Sequence, residues 1–539
     1  MAWNFGDILD AIAPELPQDA PALIHGQRVI TWGEATKRSN NLARAMLERG
    51  IEPGDKCAFY MRNRPEYSEL LMACFKARLT HVNVNYRYKA GEVLYIFDNS
   101  DATVVVYGSE FRDIIEEIRP QLTKVKLFIE VAESADAPIA SFAENYEKLA
   151  TTGSGEKLDI ERSPDDMLFI YTGGTTGMPK GVMWTHDALR ETQLSALRRL
   201  GPAPETMPAL IEAIRTEGPG QTMIPACPLM HGTGLLTALG TIVGGGCVVT
   251  LDAASFEAHE MWEAVDRNKV NSLSIVGDAF AKPMLRALQE KPGAYDLSSI
   301  VTIVSSGVMW SREVKKGLLE YMPNAIMTDS FGASEAVGLG SSLMTKDGEI
   351  STASFQIGER CKVFDENDEP VVPGSGKPGF IALGEPIPLG YYKDPEKSAK
   401  TFKTIGGARY SIPGDWCLVE PDGTLTLLGR GSVCINTAGE KVYPEEVEET
   451  LKLHPAVEDA LVVGIPDEKW GQAVTAVIHL AQGAQFDEDA IRAHVREHLA
   501  GYKTPKRVLV GTIPFRAPNG KADYKSVTAF AKEELGVPA

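Results

Sequence analysis

The segment Tyr171-Thr-Gly-Gly-Thr-Thr-Gly-Met-Pro-Lys-Gly181 concentrates residues able to hold a polyanion. Three glycines and three threonines between Thr172 and Gly177 leave backbone N–H groups and hydroxyls free to surround phosphate oxygens. Lys180 adds a cation. A Walker A loop sets a Lys-Ser/Thr pair directly after a glycine, whereas Lys180 follows Met178-Pro179 and precedes Gly181. A second cluster is Asp329-Ser-Phe-Gly-Ala-Ser-Glu335. An aromatic face such as Phe331 suits adenine, and a hydroxyl such as Ser334 can hold an α-phosphate. A carboxylate such as Glu335 can bind Mg²⁺ on a triphosphate. Cys227 and His231 stand four apart, but no second pair follows to complete a zinc site.

These segments resemble the adenylate-forming superfamily, which includes acyl-CoA synthetases, amino-acid adenylation domains and luciferases. Thr172, Gly173, Gly174, Thr175, Thr176 and Lys180 match its phosphate-binding signature. Residues 329–335 resemble its aromatic-Gly-x-Thr-Glu motif, with Gly332 kept and with Phe331 and Ser334 replacing the usual Tyr and Thr. The resemblance implies that Asp329 contacts the adenine amino group and that Ser306 and Gly307 form a small-residue shelf for the base. Asp415 in Pro413-Gly-Asp415, and Arg430 fifteen residues later, are implied to hold the ribose hydroxyls. The stretch Gly429–Glu448 resembles the family hinge, with the pivot at Ser432. Members often carry Asp or Lys there and Asp next; this chain has Ser432 and Val433. Gly439 matches the glycine bordering the pantetheine channel of thioester-forming members. Lys521 in Pro518-Asn-Gly-Lys521 matches the C-terminal lysine, a cation placed between an attacking carboxylate and the triphosphate it approaches.

The resemblance runs from about Thr31 to Lys521 and implies an acyl-CoA synthetase using ATP, Mg²⁺ and CoA. The fold it implies is α/β: a large N-terminal domain of two helix-flanked sheets plus a small β-barrel, and a smaller mobile C-terminal α+β domain. The corresponding boundaries are 1–429 for the N-terminal domain, 430–433 for the hinge and 434–539 for the C-terminal domain. Two rival readings stay open. One is an acyl-AMP ligase delivering to a carrier protein in trans. The other is a non-catalytic acyl or nucleotide binder, which intact Glu335 and Lys521 disfavour.

Elements that could position these residues are legible in part. Asp166-Met-Leu-Phe-Ile170 reads as a buried strand ahead of the phosphate loop. Thr31 opens a helical pattern. Asp55–Tyr60 and Ala102–Tyr107 read as strands, Val82–Arg87 as a strand and turn, and Glu66–Ala77 as a helix. Strand–helix alternation indicates a parallel sheet, and it resumes at Ser272–Val276 and Ile300–Val304. Arg198–Gln221 reads as a polar insertion with a helical piece over Pro208–Ile214. Residues 362–428 are β-rich. Beyond them Tyr443–Val447 starts a helix, Val457–Val463 and Val474–Leu480 read as strands, and Glu488–Leu499 as a helix.

The acyl pocket implied by the resemblance is lined by the residues after Pro228-Leu-Met-His231, by the strand end at Gly277 and by Ser306-Gly307. His231, Gly234, Leu235 and Gly277 are its candidates. Gly218 to Leu251 contains no Asp, Glu, Lys or Arg, so nothing there pairs with a substrate ammonium. Prolines and a triple glycine break that stretch, which reads as strand, loop and buried helix rather than a membrane span. Asp278, the one acid nearby, reads as a helix N-cap. A roomy apolar tunnel suits a medium- or long-chain fatty acid, or a bulky steroid or terpenoid side-chain acid. The Gly-Ser-Val-Cys-Ile-Asn hinge also resembles fatty-acid and sterol-catabolic ligases of actinobacterial type.

The chain has 539 residues, too many for one core. Its 54 basic and 73 acidic residues give a net charge of −19, which argues against nucleic acid or an anionic membrane as partner. Seven scattered cysteines without a C-x-x-C pair suggest a reducing, cytoplasmic setting. The first residues lack the basic and apolar regions of a secretory signal. A homodimer is one open arrangement.

Overall fold

The computed structural model describes residues 2–537 apart from 135–136, 173–177, 200, 308–309, 347, 349–353, 431–434, 438–439, 443, 468–469, 500 and 517–521. The chain divides into two compact units, Met1–Thr352 with Gly384–Ser411, and Ala353–Leu383 with Ile412–Ala539.

Two sheets build the first unit. One runs Gly390–Tyr391, Lys180–Thr185, Met167–Thr172, Thr80–Asn83, Lys56–Tyr60, Ala102–Gly108, Leu127–Val131, Glu144–Asn145. It is parallel from Met167–Thr172 to Glu144–Asn145 and antiparallel at the other edge. The other runs Arg28–Thr31, Pro21–His25, Cys247–Thr250, Thr222–Pro225, Ser272–Ile275, Thr302–Ser306, Ile326–Ala333, Ala336–Met344 within this unit. Only its outermost pairs are antiparallel. Parallel sheets are covered on both faces, so Val104-Val-Val-Tyr107 is apolar without alternation and fully buried.

Helix Pro65–Lys76 starts with proline, whose missing N–H costs nothing at that position. It packs on Thr80–Asn83 of one sheet and Pro21–His25 of the other, and all twelve of its residues are buried. Thr31 does cap a helix: its hydroxyl accepts from Glu34 N, and the helix runs Trp32–Glu48. The strand and turn expected over Val82–Arg87 are present, with the strand starting earlier as Thr80–Asn83 and the turn falling at Tyr86–Arg87. The polar insertion contains helix Met207–Glu217, capped by Thr206. The uncharged stretch forms strand Thr222–Pro225, helix Gly232–Val243 and strand Cys247–Thr250. Among the described residues, no helix is long and apolar enough to cross a membrane.

In the second unit, Ser354–Ile357, Leu425–Arg430, Asp415–Val419, Gly379–Gly384 and Cys361–Phe364 pair antiparallel in that order. A further sheet runs Glu440–Val442, Ile435–Thr437, Gly471–Leu480, Val457–Asp467, and Arg507–Val510 joins Gly471–Leu480 in parallel. Its strands alternate cleanly. Ala460 and Val462 pack with Val447, Leu451, Ile491 and Val495 of two helices, whereas Leu461 and Val463 pack with Val527 and Ala531 of helix Tyr524–Glu534. The result is an α+β fold with helices on both faces.

Candidate active site

The phosphate loop springs from a β-hairpin. Strand Met167–Thr172 lies parallel to Thr80–Asn83 and antiparallel to Lys180–Thr185, with Thr172 opposite Lys180. Both ends of the loop are therefore pinned by sheet hydrogen bonds. Gly173, Gly174, Thr175 and Thr176 lie outside the described residues. Lys180 Nζ donates to Asp394 Oδ2 and lies 6.0 Å from the Tyr391 ring centre. The hydrogen bond from Lys180 holds the Asp394 carboxyl below the usual carboxylate range.

Ser334 and Glu335 form the turn between Ile326–Ala333 and Ala336–Met344. Three segments hold it. Trp184 Nε1 donates to Ser334 O at 2.9 Å, Ser411 Oγ donates to Glu335 O at 2.7 Å, and Tyr391 Oη donates to Glu335 Oε1 at 2.7 Å. Gly332 allows this tightness: a Cβ there would lie 3.0 Å from Ala336 O. The described residues give the Glu335 carboxylate only the Tyr391 bond, so its second oxygen has capacity for a hard cation.

Asp329 sits inside the strand opposite Ser305, and Ser306 lies opposite Ser330 on the same parallel pair. Lys315 Nζ, from helix Arg312–Tyr321, donates to Asp329 Oδ2. Burial pushes the Asp329 carboxyl up against the pull of Lys315. The sequence reading did not find Lys315. Gly307 follows with φ of +90°, and Gly277 has φ of +56° with its N–H donating to Ser305 Oγ at 2.9 Å. Val276–Gly277, Ser306–Gly307 and Phe331–Glu335 thus gather at the carboxyl ends of neighbouring strands, where open α/β sheets place ligands.

The acyl-side turn is clamped by two asparagines the sequence reading missed. Asn63 Nδ2 donates to Cys227 O at 3.1 Å, and Asn63 Oδ1 accepts from Leu229 N at 2.7 Å. Asn83 Nδ2 donates to Met230 O at 2.5 Å and to Tyr171 O at 3.1 Å, while Asn83 Oδ1 accepts from Tyr171 N at 2.6 Å. Asn83 therefore joins the strand before the phosphate loop to the turn before His231. The available signal was a polar residue between Val82 and Val84 in an apolar strand.

His231 occupies the N-cap position of helix Gly232–Val243. Gly234 packs on the turn, since a Cβ there would lie 2.6 Å from Pro228 O, and Leu235 is fully buried in the core. The partly open face is made instead by Gly232, Thr233, Leu236, Thr237 and Gly240. A Cβ at Gly232 would lie 3.6 Å from Ser334 Oγ, so this helix starts at the Ser334–Glu335 turn. Asp278 is not an N-cap. Gly277 holds that position, and Asp278 accepts from Ser311 N at 3.0 Å and Ser311 Oγ at 3.2 Å.

In the second unit Asp415 begins a strand after Gly414, at φ of +101°, with Arg430 directly opposite on the next strand. Ser432, Gly439 and Lys521 lie outside the described residues. The segment carrying Lys521 is closed by a bridge between Arg516 and Ala522. Arg516 pairs with Asp459 at 2.9 Å, and Tyr524 Oη donates to Glu448 Oε2 at 3.2 Å. Burial pushes the Glu448 carboxyl up to about 8.

The fold is that of adenylate-forming enzymes, and the chain belongs to the AMP-binding enzyme family. The family model matches residues 9–392, and that of the AMP-binding enzyme C-terminal domain matches residues 446–521. The chain is 40% identical to a 3-oxocholest-4-en-26-oate–CoA ligase of Rhodococcus rhodochrous, covering 100% of this chain and 97% of the relative. It is 39% identical to a medium/long-chain-fatty-acid–CoA/3-oxocholest-4-en-26-oate–CoA ligase of Mycobacterium marinum, covering 99% and 97%. In fold it is similar to an anthranilate CoA ligase solved with anthranoyl-AMP, with TM-score 0.83, 22% identity and coverage of 99% and 98%.

Proposed function

We propose that this chain is an AMP-forming acyl-CoA synthetase acting on hydrophobic carboxylic acids. The observation that carries the reading is the meeting of Gly232 with Ser334, which sets the start of the acyl-side helix against the phosphate-side turn. The substrates for which these relatives are named support a medium- or long-chain fatty acid, or a steroid side-chain acid such as 3-oxocholest-4-en-26-oate.

In the first step a carboxylate oxygen bonds to the α-phosphorus of ATP and the bond to pyrophosphate breaks. The glycines and threonines of 172–176, with Lys180 and Ser334, hold the phosphates. Lys180 must leave Asp394 for the polyanion, an exchange of one charge-assisted bond for another. Lys521 offsets the negative charge gathering at the reacting phosphorus. Phe331, Asp329, Ser306 and Gly307 receive the adenine; Asp415 and Arg430 receive the ribose. Glu335 would hold Mg²⁺, whose charge neutralises the triphosphate; one carboxylate plus substrate phosphates is the usual way to bind that ion. In the second step the CoA sulfur bonds to the acyl carbon and AMP leaves, with Gly439 beside the pantetheine. The division 1–429, 430–433 and 434–539, pivoting at Ser432, belongs to this reading, since Lys521 and CoA serve different steps.

The free, buried cysteines suit a reducing compartment, so the reading extends to a cytoplasmic enzyme, with the homodimer as the assembly to be checked by sedimentation. The activity test is a screen of acids for pyrophosphate release with and without CoA. AMP and acyl-CoA are expected as products; ADP and phosphate would overturn the reading.

A further inference from the structure

One short segment engages both charged groups of the phosphate side. Gly390–Tyr391 pairs antiparallel with the strand that Lys180 begins, Gly390 opposite Met183 and Tyr391 opposite Val182. Tyr392 N donates to Gly181 O at 2.8 Å, which carries the pairing up to the residue beside Lys180. From this segment Tyr391 Oη reaches the Glu335 carboxylate, and the Asp394 carboxylate accepts from Lys180. The group assigned to the metal and the cation assigned to the phosphates are thus both engaged from one strap.

Asp394 is held in place independently of Lys180. Its Oδ1 caps helix Pro395–Thr401 by accepting from Lys397 N at 2.9 Å, while Oδ2 takes the lysine. The residue before it, Lys393, has φ of +55°, in the left-handed region that a lysine enters at a cost. That turn is stapled from outside: Lys393 Nζ donates to Asp101 Oδ1 and Tyr392 Oη to Asp101 Oδ2, both at 2.8 Å. Lys180 can swing to a ligand, but Asp394 stays where it is, ionised at neutral pH with or without the lysine. The Lys180 side chain is 31% exposed and that of Asp394 27%, so the pair is open to a polyanion arriving from solvent.

We propose that Asp394 is a positioning residue that sets how tightly the polyanion is held: it competes with phosphate oxygens for Lys180, and its fixed charge repels the pyrophosphate left after adenylation. This rests on the reading of Lys180 as a phosphate ligand and adds what loosens that grip so that the product leaves. The competition lowers affinity for ATP and pyrophosphate alike. It appears as faster release, because variants of one binding surface differ mostly in dissociation rate.

The test uses Asp394→Asn in the full-length enzyme. Asparagine caps a helix as well as aspartate does, so the helix start is kept and the charge alone is deleted. Two readouts are compared with wild type: inhibition of adenylation by pyrophosphate, and calorimetric titration with inorganic pyrophosphate and Mg²⁺. The inhibition constant, the dissociation constant and KM for ATP are each expected to fall about threefold to tenfold, the scale of one partly exposed charge-assisted bond. KM for the acid should not move, whereas a merely structural loss would raise all four together. Asp394→Ala, which also removes the cap, should bind pyrophosphate as tightly as the asparagine variant and melt at a lower temperature. Pyrophosphate bound no more tightly by either variant than by wild type overturns the inference and leaves the activity standing. A wild type that forms no AMP with any acid overturns the activity, and the calorimetric comparison then decides the role of Asp394 separately.

Discussion

Two groups of charged side chains in the first unit differ in how completely the protein satisfies them. Beside helix Pro65–Lys76, Arg38 donates to Glu69 at 2.6 Å and to Glu147 at 2.7 Å, and Tyr146 Oη donates to Glu69 at 2.6 Å. Both oxygens of Glu69 are taken, and its side chain is fully buried. At the Ser334–Glu335 turn, Glu335 is partly exposed and its carboxylate accepts one bond among the described residues, from Tyr391. Among the described residues Lys180, also partly exposed, pairs with one carboxylate, Asp394. A buried ion is tolerated only when its hydrogen-bonding capacity is filled, so the inner network can hold shape and little else. The turn keeps capacity open where a polyanion and a cation can exchange with protein partners.

The contrast breaks most visibly at Glu69. Glu69→Ala leaves Arg38 with Glu147 alone and takes the acceptor from Tyr146 Oη, and it is expected to cost about 3–5 kcal/mol in urea unfolding, the usual loss on removing one member of a buried pair. A loss below about 1 kcal/mol, the range of exposed pairs, would mean the network is not structural.

At the reacting end the effect should be kinetic. Lys521→Ala is expected to slow single-turnover adenylation about 10²-fold or more while leaving the conversion of supplied acyl-AMP to acyl-CoA in place. Equal loss in both steps would remove the division of labour. Glu335→Gln, which keeps shape and deletes charge, should raise the Mg²⁺ concentration needed for half-maximal adenylation. An unmoved Mg²⁺ titration would assign the metal elsewhere.

The second unit offers a smaller, pH-dependent case. Glu448 titrates higher folded than unfolded, so between its unfolded value near 4 and about 8 the folded state binds the extra proton. Its contribution to stability is complete below that window and is lost as pH rises through about 8. Glu448→Gln should flatten this fall and raise the melting temperature at pH 8.5 more than at pH 5. Parallel shifts at both pH values would show that Glu448 does not carry the dependence. The mildest change is Tyr391→Phe, which removes one hydrogen bond from Glu335. It should reduce adenylation about threefold to tenfold, with the melting temperature nearly unchanged.

Local chemistry made much of the fold legible. Thr31 at the opening of a helix, Pro444 at a helix start, and the Val457–Val463 strand are short-range signals, and they sit where the pattern put them. The start of Thr80–Asn83 was placed two residues late because Thr80 and His81 are polar, although both are buried in the sheet. Asp278 was misread because an acid at a helix start looks like a cap, whereas its partner, Ser311, lies thirty-three residues away.

The amino-acid order alone determined the family, the two-sheet α/β plan and the candidates for phosphate, adenine and metal, because those depend on glycines, hydroxyls and charges packed into contiguous loops. Only the tertiary structure decided which groups meet. Lys180 with Asp394, Asp329 with Lys315, and Glu335 with Tyr391 are brought together by sheet registers and helix packing from far along the chain. It also decided which face of helix Gly232–Val243 stays open. Helical period alone cannot say that when the whole helix is uncharged, since only the neighbours packed around it distinguish the core side from the pocket side.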